Sequence, residues 1–179
     1  ACDPKSDWNH EELSILGDVN CVVDVTVFDN GRHSLKSVGD IHDEPFQGSL
    51  LFSPGALLQG NGGDPDIAEV VFGGVINQDK FNALYERRLL PVLIHANDDA
   101  AKKGKKAFVT VPGMGCGCFA GKFGATINEN FKEALKALLE KHSNGLSNVG
   151  AVYLDLYGKR DLNESDQSYG NTKFISKAL

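Results

Sequence analysis

Basic charge is scarce in this chain: its 179 residues carry 18 Lys and Arg against 24 Asp and Glu, a net charge of −6. A nucleic-acid-binding face needs clustered positive charge. The one basic run, Lys102, Lys103, Lys105 and Lys106, reads as a solvated turn between a helix and a strand. No nucleic-acid partner is therefore expected. Long apolar runs are also missing, and none approaches the ~20 residues of a membrane-spanning helix, so no membrane partner is expected either. No secretory signal pattern opens the chain. Methionine occurs once, at Met114 and not at the start, which suggests a processed form or an excised piece. Cysteine is limited to Cys2, Cys21, Cys116 and Cys118, too sparse for a secreted disulfide scaffold. Cys116 and Cys118 form C-x-C, but no second Cys or His pair lies at zinc-site spacing. The expectation is no metal, and a reducing, cytoplasmic setting.

Glycine is plentiful. Its 20 residues gather in the stretches 55–63, 73–74 and 113–124, where they mark tight turns or a backbone approaching a ligand closely. Between these stretches the pattern alternates strands and helices. A short helix is expected over 7–16. Strands are expected over Cys21 to Phe28, near 33–38, and over Ser49 to Ser53, the last buried. A short helix from Asp66 to Phe72 should close at Gly73-Gly74. A long helical stretch over 78–101 should break or kink at Pro91. Ala107 to Val111 is a strand, ended by Pro112. The clearest helix follows, with Thr126 and Glu129 as a capping box. Its buried face comprises Ile127, Phe131, Ala134, Leu135, Leu138 and Leu139, and Asn144-Gly145 closes it. Val149 to Leu156 reads as a strand covered on both faces. A polar tail follows Gly158, with a short helix near 172–179. One domain is expected over 1–179, its core over about 20–158. The class is α/β, a mixed or parallel sheet with covering helices.

The run Pro112-Gly-Met-Gly-Cys-Gly-Cys-Phe-Ala-Gly121 joins a strand to a helix. Small residues there present backbone N–H groups to a concave space, a nest that binds phosphate oxygens without a basic side chain. A Walker A loop needs G-x-x-x-x-G-K-[ST]. Before Gly121-Lys122 the first position is Cys116, and position 123 is Phe, so that motif fails twice. A Rossmann fingerprint is met by Gly115, Gly117 and Ala120, but the ribose-binding acid would be Asp155, at about twice the usual spacing.

A third reading covers more of the chain. The proline, small-residue turn and Gly-x-Phe-small order of Pro112 to Ala120 resembles the phosphate loop of the macrodomain family. Upstream, Gly39-Asp40-Ile41 resembles the family's Gly-Asp-Ile step. Leu57-Leu58-Gln-Gly-Asn-Gly-Gly-Asp64, followed by Ile67, resembles its ribose loop. The resemblance is strongest over 39–74 and 107–125, and it implies a three-layer α/β/α fold with ADP-ribose as ligand and no cofactor. Asp40 and Ile41 would then meet adenine, and Gly60, Asn61, Gly62 and Gly63 the distal ribose. Gly113, Met114, Gly115, Cys116, Gly117, Cys118, Phe119 and Ala120 would hold the diphosphate. Tyr157 either covers the adenine or packs at a strand end. The sequence departs from the family where Phe52-Ser53-Pro54-Gly55 replaces an Asn-Ala-Ala-Asn segment. It also lacks an obvious strand between two helices over 75–105.

Hydrolysis of an ADP-ribosyl bond needs an oriented water and a carboxylate near an oxocarbenium-like carbon. Asp64 aligns with the aspartate that many hydrolytic macrodomains use for this. Asp66 either assists it or serves the start of a helix, where negative charge is favoured. Glu69 reads as a surface charge. His42 and His95 lack a pattern for catalysis, and Cys116 lacks a paired base. The expected function is removal of ADP-ribose from a modified protein or small molecule. The alternatives are a module that binds ADP-ribose or an ADP-ribosylated protein without cleavage, and a dinucleotide-dependent oxidoreductase.

Overall fold

The computed structural model describes residues 12, 17–27, 44–60, 64–156 and 165–176. Most of the expected helix over 7–16 and the strand near 33–38 lie outside these residues. Two valine- and phenylalanine-rich segments, β1 (Cys21–Val27) and β2 (Phe46–Phe52), pair antiparallel with Cys21 opposite Phe52. β2 was expected to be buried, but within this two-stranded ribbon Phe46, Leu50 and Phe52 stay exposed and Leu51 reaches the core.

Asp64 and Pro65 open the short helix α1 (Pro65–Val70), with proline at a position that needs no N–H. The helix stops earlier than expected. Val71–Phe72 (β3) and Val75–Ile76 (β4) form a small hairpin around Gly73-Gly74. Those glycines have φ of 58° and 83°, the positive values that a two-residue hairpin turn demands. They turn a hairpin and do not cap a helix; the flanking β-branched residues favour extended backbone.

Helix α2 (Gln78–Lys102) starts at Asn77, whose side chain accepts the Lys80 amide at 3.0 Å. Pro91 does not break it. The proline removes one N–H donor from the ladder, yet Tyr85, Arg88 and Leu89 before it and Val92 and Leu93 after it share one buried face. Packing along that face holds the helix continuous, and the Ser53 hydroxyl donates to the Arg88 carbonyl at 3.1 Å beside the interruption. The strand missing from 75–105 is thus replaced largely by helix.

The main sheet has the order β5 (Ala107–Pro112), β6 (Val149–Asp155), β8 (Thr172–Ser176), β7 (Ser165–Tyr169). β5 and β8 run parallel to β6, and β7 runs antiparallel to β8. The tail was expected to hold a short helix. It forms strands because Thr172, Phe174 and Ser176 are buried at period two, and Gly170, at φ 56°, turns the chain before them. β6 was expected to be covered on both faces. Val149, Val152 and Leu154 are buried, whereas Tyr153 on the other face is half-buried and stacks on exposed Phe108 at 6.4 Å.

Helix α3 (Ile127–His142) buries the six apolar residues its periodicity marked. Its capping box does not form: Thr126 sits at the cap, but its hydroxyl points to the Phe123 carbonyl, 3.4 Å away. Helices α2 and α3 pack together and against the sheet around Phe81, Leu84, Phe131, Leu135, Val152 and Phe174. Each such side chain contributes about 1.5–3 kcal/mol by leaving water. The architecture is α/β with a mixed sheet and helices, the class the sequence implied.

Candidate functional site

Strand β5 ends at Pro112, and the glycine loop turns back immediately, with Met114 N bonded to Pro112 O at 2.7 Å and Cys116 N to Gly113 O at 3.1 Å. This loop lies against residues 55–59. A Cβ on Gly55 would meet the Gly115 amide nitrogen. A Cβ on Gly115, at φ 76°, would lie 2.8 Å from both Ala56 N and Ala56 O. Further on, a Cβ on Gly121, at φ 51°, would lie 2.6 Å from the Leu58 carbonyl oxygen, and Leu58 N donates to Phe119 O at 2.7 Å. The reason for Gly55, Gly115 and Gly121 is therefore backbone packed on backbone. Gly117 differs, because a Cβ there would meet nothing within 4 Å. It caps a 3-10 turn, Cys118–Phe123, whose first amides have no partner within the turn. Gly117, Cys118 and Phe119 form the exposed part of the loop. Ala120 is buried in the core, and its amide donates to Gly117 O at 3.0 Å. Its side chain therefore supports the loop from beneath. Met114 and Cys116 are partly buried against the core.

Two buried polar side chains of α2 hold these loops, and the sequence reading missed both. Tyr85 accepts the Ala56 amide at 3.0 Å and donates to the Met114 carbonyl at 2.6 Å. Burial pushes its phenol pKa well up, so the hydroxyl remains a donor. Arg88 grips Asp66 with two nitrogens at 3.0 and 2.7 Å and reaches Asp18 with a third at 3.0 Å. Burial alone would pull the guanidinium pKa down; the bonds to Asp66 and Asp18 outweigh it and raise it. A charged residue on an otherwise apolar helix face was the available signal.

Asp64 and Asp66 occupy contrasting surroundings. Asp66 is buried, with both oxygens on Arg88, and one of them also accepts the Leu57 amide at 2.8 Å. Its carboxylate orders the start of α1 and the 56–58 segment, and each of its oxygens is engaged by Arg88. Asp64 stands at the cap position but makes no side-chain capping bond. Its carboxylate instead lies against Gly60, where a Cβ would collide with it. Glu69 pairs with Arg87 at 3.0 and 2.9 Å, and Arg87 also reaches Asp18.

Asp64, Gly60 and the 113–120 loop are thus linked through Leu58 and Gln59. Asp40, Ile41, Asn61, Gly62, Gly63 and Tyr157 lie outside the described residues. Among the described residues no group of three His, Cys, Asp or Glu side chains is arranged to hold a metal ion, and no helix is long and apolar enough to cross a membrane.

The model of a protein family described as "Macrodomain effector MavL" matches residues 1–178. No curated protein matches the chain.

Proposed function

The protein belongs to the macrodomain effector MavL family, which makes it an ADP-ribose-binding or -processing module, and we propose that it is an ADP-ribosyl hydrolase. The observation that carries this reading is the placement of Asp64. Its carboxylate is not used to cap α1, and it borders Gly60 next to the segment that hydrogen-bonds Phe119. In this reading the open amides at Gly117, Cys118 and Phe119 receive the diphosphate. Asp64 orients a water for attack on the anomeric carbon; the water oxygen forms the new bond while the group bound there leaves with a proton. The substrate is an ADP-ribosylated protein or small molecule, and no cofactor is invoked.

A second reading, binding without cleavage, is favoured by Phe52-Ser53-Pro54-Gly55. That segment has no asparagine, and its Ser53 hydroxyl is occupied by the Arg88 carbonyl. Calorimetric titration with ADP-ribose, using AMP and NAD as comparators, tests the shared premise. Saturable binding of ADP-ribose well above AMP is expected, and tight NAD binding with hydride transfer would favour an oxidoreductase instead. Turnover of an ADP-ribosylated substrate then separates hydrolase from reader. Asp64→Ala is expected to lose about 100-fold or more in turnover while still binding ADP-ribose. Unchanged turnover would remove Asp64 from the mechanism.

A further inference from the structure

We infer that Tyr85 is a positioning residue of the ADP-ribose site, its single phenol joining the two loops that form it. The inference rests on the proposed ligand reading and deepens it. A phenol is both donor and acceptor, and here each capacity serves a different loop. The Ala56 amide donates to it, and it donates to the Met114 carbonyl.

The oxygen is held in place from behind. The Tyr85 ring meets Phe81 edge-on at 4.8 Å and Phe131 at 4.6 Å, and the residue is fully buried. Because a peptide unit is planar and trans, fixing the Met114 carbonyl also fixes the Gly115 N–H, which points the opposite way in the same plane. Gly115 is where the glycine loop presses on Ala56, two residues before the open amides begin. On the other loop, fixing the Ala56 amide sets the segment that leads through Leu58 to Gly60 and Asp64. Loops are ordinarily the mobile parts of a fold. A site made of backbone amides gains affinity when those amides are already aimed before the ligand arrives. Neither loop carries a disulfide among the described residues, and Tyr85 supplies the cross-link with two hydrogen bonds.

The test is Tyr85→Phe, which keeps the ring packing and removes both bonds, with Leu138→Ala as a destabilised control. Leu138 is a core residue near the far end of α3 from the 3-10 turn. ADP-ribose titration well below both melting temperatures is expected to show affinity weakened about tenfold in Tyr85→Phe and unchanged in Leu138→Ala. Equal losses in the two variants, or wild-type affinity in Tyr85→Phe, would overturn the inference. Amide hydrogen exchange of the wild-type protein without ligand gives a second measurement that needs no folded variant. Strong protection of the Ala56 N–H is expected, and exchange at the unfolded rate would show that the cross-link is not there. A wild-type protein that shows this protection but fails to bind ADP-ribose would sink the proposed ligand and leave the clamp standing.

Discussion

Two aspartates separated by one residue differ in everything that decides their chemistry. Asp66 neutralises Arg88, a guanidinium with only 2% of its side chain exposed, and its removal would leave that charge with Asp18 alone. Breaking a buried pair from one side costs about 3–5 kcal/mol. The remaining bond to Asp18 places Asp66→Ala at the lower end, about 3 kcal/mol, measurable by urea denaturation. Replacing the pair together, Asp66→Leu with Arg88→Met, should recover most of that loss, since apolar residues of similar volume often match a buried ion pair. A loss under about 1 kcal/mol for Asp66→Ala would mean that solvent reaches the pair. The sequence singled out Asp64 but left Asp66 between assisting it and serving the helix start, because the residue that engages Asp66, Arg88, lies 22 positions away.

The glycine-rich turn holds glycines of different kinds, and the difference is set by what lies beside each. Gly121 combines φ 51° with close approach to the Leu58 carbonyl. Gly124, at φ −51° and ψ −26°, already has helical backbone, and its nearest neighbour is 3.7 Å away. Gly121→Ala should therefore destabilise by about 2 kcal/mol or more, from the left-handed backbone and the contact together. Gly124→Ala should be neutral or stabilise by up to about 1 kcal/mol. Thermal unfolding of the two variants decides this, and equal effects would show that the turn is not packed on residues 58–59. Elements with strong local periodicity were readable in advance. The buried face of α3 and the span of β5 follow from apolar spacing alone. The hairpin at Gly73-Gly74, the intact helix through Pro91 and the β7–β8 pair were not. Each depends on a partner distant in sequence or on a backbone angle that the residue type permits but does not dictate. The glycine loop stood out along the chain as a candidate site for the same reason that Tyr85 did not. Glycine clusters are visible along the chain, whereas a tyrosine on a buried helix face looks like any other core aromatic until its hydroxyl is given neighbours.

At the scale of the molecule, α2 is the element to which the rest is tied. Tyr85, Arg88 and the Arg88 carbonyl hold the site loops on one flank, and a second set of polar contacts joins α2 to α3. Asn130 donates to the Gln78 side chain at 2.6 Å, while Gln78 donates to the Asn130 carbonyl at 2.9 Å. Toward the other end of α3, Glu86 receives Lys141 at 2.8 and 3.0 Å and lies 2.9 Å from a His142 ring nitrogen. The Lys141 and His142 bonds hold the Glu86 carboxyl below its ordinary range. The unfolded chain therefore takes up a proton at this residue at a higher pH than the folded protein does. Its contribution to stability is complete above the unfolded value of about 4.3 and is lost as pH falls through the lower folded value. Glu86→Gln should give a shallower decline of stability with acid over that window than the wild type, read by denaturant titration at several pH values. Lys141 is well exposed, so added salt should weaken the wild-type slope and leave the variant's nearly unchanged. Superimposable acid profiles for the two proteins would show that Glu86 is solvated in the folded state and that this end of the helix pair is held without it.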